Sequence, residues 1–306
     1  MGKIFKAFFS LKTKFRENIL AKKICRYWNK LMKRIIFILT LAACLFGCAT
    51  SDDAQNKQPR KVAVQTYSLN RFTLEETLQK LAPLGLDGIE CYPGQFVSKS
   101  MPGVKMGPQM TKEQRDYVKN LLKKANLKVV SFGVTGAKNE KEVEALCQFA
   151  KDFGFDKILT EAPVAMFPIW EKYGQKYGVT MCLHHHAKDS ANQYYDADLV
   201  LKYIKDYQYV KANPDVGHLS RSQIQPIENL KKLKGKIGSI HIKDQAEFGN
   251  PKNQCVPLGT GQLDDKAILE ELDEQGYDGY YVIEYEANWD NNVPDIAKCV
   301  QFLRQN

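Results

Sequence analysis

The residues best suited to chemistry are the histidines, all five of which lie in the second half of the chain. They are His184, His185, His186, His218 and His241. Acidic residues lie close to them, such as Asp215 three positions before His218 and Asp244 three positions after His241. Imidazole and carboxylate groups together form a ligand set that suits Mn, Zn, Co or Fe rather than calcium. The chain therefore predicts a divalent transition-metal site, provided that the fold brings these groups together.

Eight short β-rich runs alternate with longer amphipathic segments from residue 61 onward, which is typical of βα units around a parallel sheet. The predicted strands cover residues 62–67, 88–91, 128–134, 157–160, 179–184, 209–215, 237–242 and 280–285. The predicted helices cover residues 74–82, 112–125, 140–153, 165–177, 197–206, 227–233, 265–275 and 293–303. Eight such units in about 245 residues fit a (β/α)8 TIM barrel.

The competing fold is a doubly wound open sheet, which usually carries a glycine-rich phosphate loop after its first strand. The segment Tyr67-Ser68-Leu69-Asn70 stands at that position instead. We therefore predict one barrel domain over residues 61–306. Its long loops at 93–111 and 244–264 are where a barrel would build lids and specificity.

The chemically active residues fall at the C-terminal ends of the predicted strands, where barrels of this kind assemble their active sites. The fifth strand runs into His184-His185-His186, and the sixth ends in Asp215 shortly before His218. The seventh contains His241 and the eighth ends in Glu284. Four successive strands thus supply imidazole or carboxylate groups to one end of the barrel, so we expect these groups to meet there.

Four short motifs in this region resemble a known family. They are Asp215-x-x-His218, His241-x-Lys243-Asp244, Pro257-Leu258-Gly259-x-Gly261 and Ile283-Glu284. Together they resemble the xylose isomerase-like TIM barrels, a superfamily of sugar (phosphate) isomerases and epimerases that includes ketose 3-epimerases and inosose dehydratase. The resemblance covers most of residues 61–306.

The resemblance implies a metal held by Glu, Asp, His and Glu from strands 5 to 8. Asp215, His241 and Glu284 match three of these positions, and the resemblance also implies that His218 contacts the substrate. His184 stands where the family usually has the first glutamate. A histidine can still bind metal and move protons, but it changes the charge of the site by one unit.

Such a metal would polarise a carbonyl and its neighbouring hydroxyl, so that a base can remove the intervening proton and form an enediolate. Glu284 is the first candidate for the base because it matches the family, and His186 and His184 follow. Return of the proton gives epimerisation or isomerisation. Expulsion of a β-substituent from the same intermediate would instead make the protein a keto-sugar lyase or dehydratase.

Further candidates for substrate contact lie near other strand ends. Glu161 follows the fourth strand and Glu90 lies near the end of the second, while Lys243 could bind a hydroxyl or an anionic group. Trp289 could stack on a sugar ring, whereas Trp170 lies in a helical pattern and is expected to be packing. We expect an unphosphorylated sugar or cyclitol as the substrate. The start of the chain predicts export, phosphorylated sugars are scarce outside the cytoplasm, and no phosphate-binding glycine loop is visible in the sequence.

Two alternative functions belong to other classes of protein, and the sequence argues against the first and in favour of the second. A nuclease of the endonuclease IV type would need further histidines on early strands, where Cys91-Tyr92 and Phe132-Gly133 stand. A non-catalytic sugar-binding lipoprotein is favoured by the histidine at 184. Barrels often form homodimers, and no interface signal in the sequence decides whether this one does.

The positive charge of the chain is concentrated at its start. The net charge is +9, yet residues 1–47 hold 11 of the 44 Lys and Arg residues and one of the 35 acidic residues. The remainder is close to neutral and lacks the basic surface that binds phosphates along a nucleic acid. We therefore expect no nucleic-acid partner.

The start of the chain predicts export. Lys33 and Arg34 precede an apolar run at 35–46, and Leu45-Phe46-Gly47-Cys48 resembles a bacterial lipobox. We predict a lipoprotein signal peptide at residues 32–48 with lipidation at Cys48, followed by a polar tether at 49–60 and a membrane-anchored protein on the periplasmic or cell-surface side. Plain export and an uncleaved anchor are the alternatives. Residues 1–31 read as an early start assignment or a basic cytoplasmic extension.

Overall fold

The computed structural model of the chain describes residues 59–189, 194–252 and 254–306. The predicted extension at 1–31, the signal peptide at 32–48 with Cys48, and nearly all of the tether at 49–60 lie outside the described residues. Within the described ranges, no helix is both long enough and apolar enough to cross a membrane.

Eight parallel strands surround the core and confirm the predicted (β/α)8 barrel. They are β1 (Lys61–Gln65), β2 (Gly88–Cys91), β3 (Val129–Thr135), β4 (Lys157–Thr160), β5 (Thr180–His184), β6 (Val210–Asn213), β7 (Ile240–Ile242) and β8 (Tyr280–Ile283). Hydrogen-bonded neighbours follow the order β6-β5-β4-β3-β2-β1-β8-β7. Isolated parallel bridges join Ala212 to Ile237 and Asp215 to His241, and they connect the two ends of this order.

The sixth and seventh strands are shorter than predicted. β6 ends at Asn213, directly before Pro214, which has no backbone N–H to donate to a neighbouring strand. The carbonyl of Pro214 still accepts a hydrogen bond from the backbone N–H of His241. The bridge between Asp215 and His241 therefore continues the strand pairing into the site itself.

Nine helices are found within the described residues. They are α1 (Leu74–Leu81), α2 (Lys112–Ala125), α3 (Glu140–Phe153), α4 (Phe167–Tyr177), α5 (Ala197–Ile204), α6 (Val216–Arg221), α7 (Pro226–Lys232), α8 (Asp265–Glu274) and α9 (Val293–Gln305). Eight correspond to predicted helices. The addition is the short α6, which begins after Asp215 and carries His218.

The helices pack against apolar residues of the strands. Val62, Val64 and Ile89 on the first two strands are fully buried in the core. Trp170 is 1% exposed, which confirms that it is a packing residue. Five cysteines are buried free thiols, and they are Cys91, Cys147, Cys182, Cys255 and Cys299.

Both long loops after strands contain a small antiparallel hairpin. The loop after β2 pairs Phe96–Ser98 with Met101–Lys105. The loop after β7 pairs Asp244–Gln245 with Cys255–Val256. Both hairpins lie in the loops where the sequence predicts lids, at the end of the barrel that carries the histidines.

The loop after β7 is held by a buried carboxylate. Asp244 accepts hydrogen bonds from the backbone N–H groups of Thr260 (3.1 Å), Gly261 (2.6 Å) and Leu263 (3.2 Å). A Cβ at Gly261 would lie 2.3 Å from the carbonyl oxygen of Gln245, so only glycine fits there. The Pro-Leu-Gly-x-Gly motif therefore supplies backbone N–H groups that bind the carboxylate of Asp244.

A second carboxylate, Asp265, lies beside Asp244 and accepts a hydrogen bond from the backbone N–H of Gly259 at 2.7 Å. Burial and the negative charge of Asp244 raise the pKa of Asp265 to about 8. The folded protein therefore keeps a proton that the unfolded chain releases near an ordinary aspartate pKa of about 3.9. Between these two pKa values the unfolded state binds fewer protons than the folded state. The free energy of unfolding therefore falls as pH rises through this range.

Asp265→Asn is expected to raise the midpoint of thermal unfolding strongly at about pH 9 and much less at about pH 5, because asparagine mimics the protonated acid. Thermal unfolding of both proteins at the two pH values measures the effect. Asp264→Asn is the matched control, since Asp264 caps α8 through the backbone N–H of Ala267 and asparagine caps helices equally well. An equal shift at both pH values would contradict the assignment.

Candidate active site and metal centre

The ends of β5 to β8 bring the predicted metal ligands together. His184 is the last residue of β5, His241 lies within β7, and Glu284 follows β8. Asp215 follows β6 and caps α6, because its carboxylate accepts a hydrogen bond from the backbone N–H of His218 at 2.9 Å. The spacing Asp215-x-x-His218 is thus a helix-capping geometry that fixes both side chains at the barrel end.

Three of the four predicted ligands form a compact donor set. His184, Asp215 and His241 each offer a ligand atom, and these atoms all lie within 4.8 Å of one another. All three side chains are buried. This arrangement can hold a metal ion, and the mixed nitrogen and oxygen donors suit a transition metal.

Three buried atoms of this cluster face one another and are placed to act as metal ligands. His241 Nδ1, Asp215 Oδ2 and Glu284 Oε2 are buried and make no hydrogen bond of good geometry. His241 Nδ1 lies 2.9 Å from Glu284 Oε2 and 3.4 Å from Asp215 Oδ2. The ammonium of Lys243 lies 3.0 Å from Asp215 Oδ2 and 2.7 Å from Glu284 Oε2, so a metal ion bound here would share these two oxygens with Lys243.

His184 is held in the form that a metal ligand requires. Its Nδ1 lies 2.7 Å from Asn213 Oδ1, which only accepts hydrogen bonds, so Nδ1 carries the proton and Nε2 keeps its lone pair. Burial and the nearby His241 lower the pKa of His184, which favours the neutral ring. Asn213 was not predicted as a site residue, although it lies within the predicted strand 209–215 and ends the observed β6.

Glu90 lies behind His241 rather than on the wall of a substrate cavity. Its carboxylate is fully buried, with Oε1 2.8 Å from His241 Nε2 and Oε2 accepting a hydrogen bond from Ser131 Oγ at 2.5 Å. The sequence predicts a substrate contact for Glu90, but these contacts make it a partner that turns His241 Nδ1 toward Asp215 and Glu284. Carboxylates commonly orient metal-binding histidines in this way.

The charge of His241 depends on the same neighbours. Burial alone would lower the pKa of His241, but the carboxylates of Glu90 and Glu284 outweigh burial and raise its pKa well above the usual value. A metal that binds His241 must therefore displace a proton.

Lys243 is buried among carboxylates, although the sequence predicts a substrate contact. Its Nζ lies 2.7 Å from Glu284 Oε2, 3.0 Å from Asp215 Oδ2 and 3.0 Å from Glu286 Oε2. Burial would lower the pKa of Lys243, but these three charges raise it well above the usual value. Glu286 was not predicted, and its only sequence signal is its position two residues after Glu284.

Glu284 is correspondingly held as an anion. Burial alone would raise the pKa of Glu284, but Lys243 and His241 outweigh burial and lower its pKa far below the usual value. A carboxylate held in this way accepts a proton poorly.

A cavity of about 380 Å³ opens beside the cluster at the same end of the barrel. Its wall includes five of the predicted site residues, namely Glu161, His184, His186, His218 and Glu284. The volume suits a small molecule. The cavity therefore brings two of the four predicted substrate contacts, Glu161 and His218, beside the metal-ligand set.

His186 and His218 form a pair on the cavity wall. Their ring centroids are 4.2 Å apart. Burial lowers the pKa of His218 well below the usual value, so this ring is neutral. His185, by contrast, is fully buried and does not line the cavity, and burial together with His184 lowers its pKa to about 3.

The remaining wall comes from the early strands, which the sequence did not single out. Gln65, Tyr67 and Tyr92 line the cavity at the ends of β1 and β2. Trp289 packs edge-on against Tyr67, with ring centroids 5.8 Å apart. It therefore supports a residue of the cavity wall without lining the cavity itself. The rule that found the later residues, a polar or aromatic group at a strand end, also applies to these positions.

Comparison with known proteins gives a consistent family. The model of the xylose isomerase-like TIM barrel family matches residues 78–306. An inosose dehydratase from Yersinia enterocolitica is 25% identical over 156 residues, which cover 42% of this chain and 52% of that protein. An L-ribulose-5-phosphate 3-epimerase from Salmonella paratyphi A is 33% identical over 92 residues, covering 30% and 31% of the two chains.

The chain spans about half the length or less of these curated relatives. The crystal structure of an uncharacterised protein from Parabacteroides distasonis is similar over 80% of this chain and 98% of that chain, with 26% identity and a TM-score of 0.66. The family match covers most of the described barrel and includes the ends of β5 to β8, which supply the predicted metal ligands. The chain therefore belongs to the xylose isomerase-like TIM barrel family.

Proposed function

We propose that the protein is a metal-dependent sugar isomerase or epimerase that removes a proton next to a carbonyl of an unphosphorylated sugar or cyclitol. The supporting observation is the compact donor set of His184, Asp215 and His241, whose ligand atoms lie within 4.8 Å of one another beside a cavity of small-molecule size. Glu284 Oε2 lies 2.9 Å from His241 Nδ1, next to this set.

The residues that would hold the metal are His184, Asp215 and His241, with Glu284 as the expected fourth ligand. A divalent Mn, Zn, Co or Fe ion bound there would polarise the carbonyl and hydroxyl oxygens of the substrate and stabilise an enediolate. Asn213 orients the ring of His184 and Glu90 orients the ring of His241, so that each keeps its other nitrogen available for the metal.

His186 is the base that this geometry favours. Glu284 is paired with Lys243 and His241, and His184 has one nitrogen committed to Asn213 and the other to the metal. His186 lies on the cavity wall beside His218 and is free of the ligand set. It takes the proton from the carbon next to the carbonyl and returns it to the opposite face or to the neighbouring carbon.

The charge of the cavity favours a substrate without phosphate. Its wall carries the carboxylates of Glu161, Glu284 and Glu286, and none of the described residues that line it is Lys or Arg. A phosphate would therefore find no Lys or Arg side chain among the described residues of this wall, whereas the carboxylates can accept hydrogen bonds from sugar hydroxyls.

A keto-sugar or cyclitol dehydratase is the second candidate. Several curated relatives are inosose dehydratases, and His184 replaces one of the two glutamates that the family resemblance implies. In this reaction His186 removes the same proton, and the hydroxyl on the β-carbon then leaves as water after protonation by a second acid. The products are water and an unsaturated ketone.

Proton NMR in D2O tests the function and separates the two outcomes. The protein is incubated with Mn²⁺ or Co²⁺ and with ketohexoses or inososes. Deuterium entering next to the carbonyl without loss of water supports isomerisation or epimerisation, and loss of water supports dehydration. Exchange on no substrate would favour a sugar-binding protein without catalysis, and turnover of sugar phosphates alone would contradict the proposed substrate class.

We further propose that the barrel is exported and anchored to a membrane by a lipid on Cys48. The support is the basic, apolar and lipobox-like order of residues 32–48. In a bacterial host, the protein should enter the detergent phase of a Triton X-114 partition and Cys48→Ser should stay in the aqueous phase. Equal partition of the two proteins would argue against the anchor.

A further inference from the structure

We propose that the substrate carries a second sugar ring, and that this ring lies in a cleft between Tyr92 and Phe96. The inference rests on the proposed function, because it takes the reacting sugar to occupy the cavity beside the histidines. It narrows the substrate class to a glycoside or disaccharide whose second ring stays outside the reacting site.

The cleft adjoins the reacting cavity at one side chain. Tyr92 lines both, and the cleft has a volume of about 440 Å³ that also suits a small-molecule group. The other aromatic walls of the cleft are Phe72 and Phe96. The two spaces therefore adjoin at Tyr92, so two linked sugar rings could occupy them side by side.

Exposed aromatic side chains mark both spaces. Tyr67 and Phe96 are the two large hydrophobic residues that stand exposed among the described residues, at 39% and 49%. Tyr67 lines the reacting cavity and Phe96 lines the cleft. Tyr67 also packs edge-on against Tyr92, with ring centroids 5.3 Å apart. The exposed aromatic surface thus extends across both spaces instead of being scattered over the molecule.

The polar groups of the cleft suit a neutral carbohydrate. Its wall holds Asn70, Arg71, Glu76 and Lys99, and the charges are balanced because Lys99 pairs with Glu76 at 2.5 Å and Arg71 pairs with Asp290. Aromatic faces next to both donors and acceptors match a sugar ring, which has apolar C–H faces and hydroxyls at its edge. A purely apolar chain would leave these polar groups unsatisfied, and a phosphate would find no unpaired cation among them.

Isothermal titration of the whole protein with simple sugars tests the inference. The probes are D-glucose and D-galactose, compared with cellobiose, maltose and lactose. At least one disaccharide is expected to bind about tenfold or more tightly than its monosaccharides, because stacking on Phe96 and Tyr92 adds to the affinity. Phe96→Ala should remove this gain and leave monosaccharide binding unchanged, while Phe96→Tyr should keep it.

Tyr280→Ala is the control, because Tyr280 is a half-buried aromatic residue at the start of β8, at the opposite end of the barrel. It should alter neither affinity. Monosaccharide binding without any gain for a disaccharide, or a gain that survives Phe96→Ala, overturns the second ring and leaves the proposed function standing. Failure of every sugar to bind overturns both.

Discussion

His186→Gln is expected to lower the rate of proton exchange between substrate and solvent by about 10² to 10⁴-fold, the usual contribution of a general base. Glutamine is similar in size to histidine but cannot take up the proton. The metal content should not change, because His186 is outside the donor set of His184, Asp215 and His241. Deuterium incorporation followed by NMR, together with metal analysis of the same samples, measures both effects.

His185→Gln is the matched control for this variant. His185 is the preceding residue in the chain and has the same side chain, but it is fully buried and does not line the cavity. Its variant should keep both its metal and an exchange rate close to that of the unmodified protein. An unchanged rate in His186→Gln would return the role of base to Glu284.

Glu90→Gln is expected to weaken metal binding by about 10 to 100-fold, as the loss of a histidine's carboxylate partner commonly does. The carboxylate of Glu90 lies 2.8 Å from His241 Nε2, on the side of the ring opposite to Nδ1, and glutamine keeps the shape but loses the charge. His241 would then be a weaker and less well-oriented ligand. Competition with a coloured chelator at fixed pH measures the affinity without reference to catalysis.

Ser131→Ala separates the charge of Glu90 from its packing. It removes the other hydrogen bond of the same carboxylate but leaves the contact between Glu90 and His241. We expect a smaller loss of affinity than in Glu90→Gln. Equal affinities of Glu90→Gln and the unmodified protein would show that His241 does not depend on this partner.

The architecture could be predicted from the sequence because it depends on local periodicity. Apolar runs of strand length separated by amphipathic segments require only the order of residues, and all eight strands were found in this way. The early end of β6 has a local cause as well. Pro214 ends the regular hydrogen bonding of β6, and the pairing of residues 215 and 241 continues as a single bridge.

The contacts of the site were harder to predict because they join residues far apart in the chain. Glu90 meets His241 across 151 positions, and nothing in the sequence near Glu90 indicates which strand it faces. From the sequence alone, Lys243 could equally be an exposed charge at the rim of the barrel. In the folded barrel it lies among carboxylates that follow β6 and β8. Strand-end position identifies which residues reach the site, but closure of the barrel decides which of them contact one another.

The aromatic residues of the site were equally hard to predict from the sequence. Tyr67 and Tyr92 end early strands as the histidines end later ones, yet tyrosine at a strand end is also common in packed cores. Their shared cavity wall becomes visible only when β1 lies between β2 and β8.

Metal analysis by mass spectrometry of the purified protein, beside its His184→Ala, His241→Ala and His186→Gln variants, tests the central claim most directly. We expect a stoichiometric divalent transition metal in the unmodified protein and in His186→Gln, and its loss in both alanine variants. Loss in His241→Ala alone would move His184 from ligand to proton transfer. An unmodified protein that neither carries metal nor takes it up would contradict the account, and the histidine cluster would then have to serve sugar binding without enolisation.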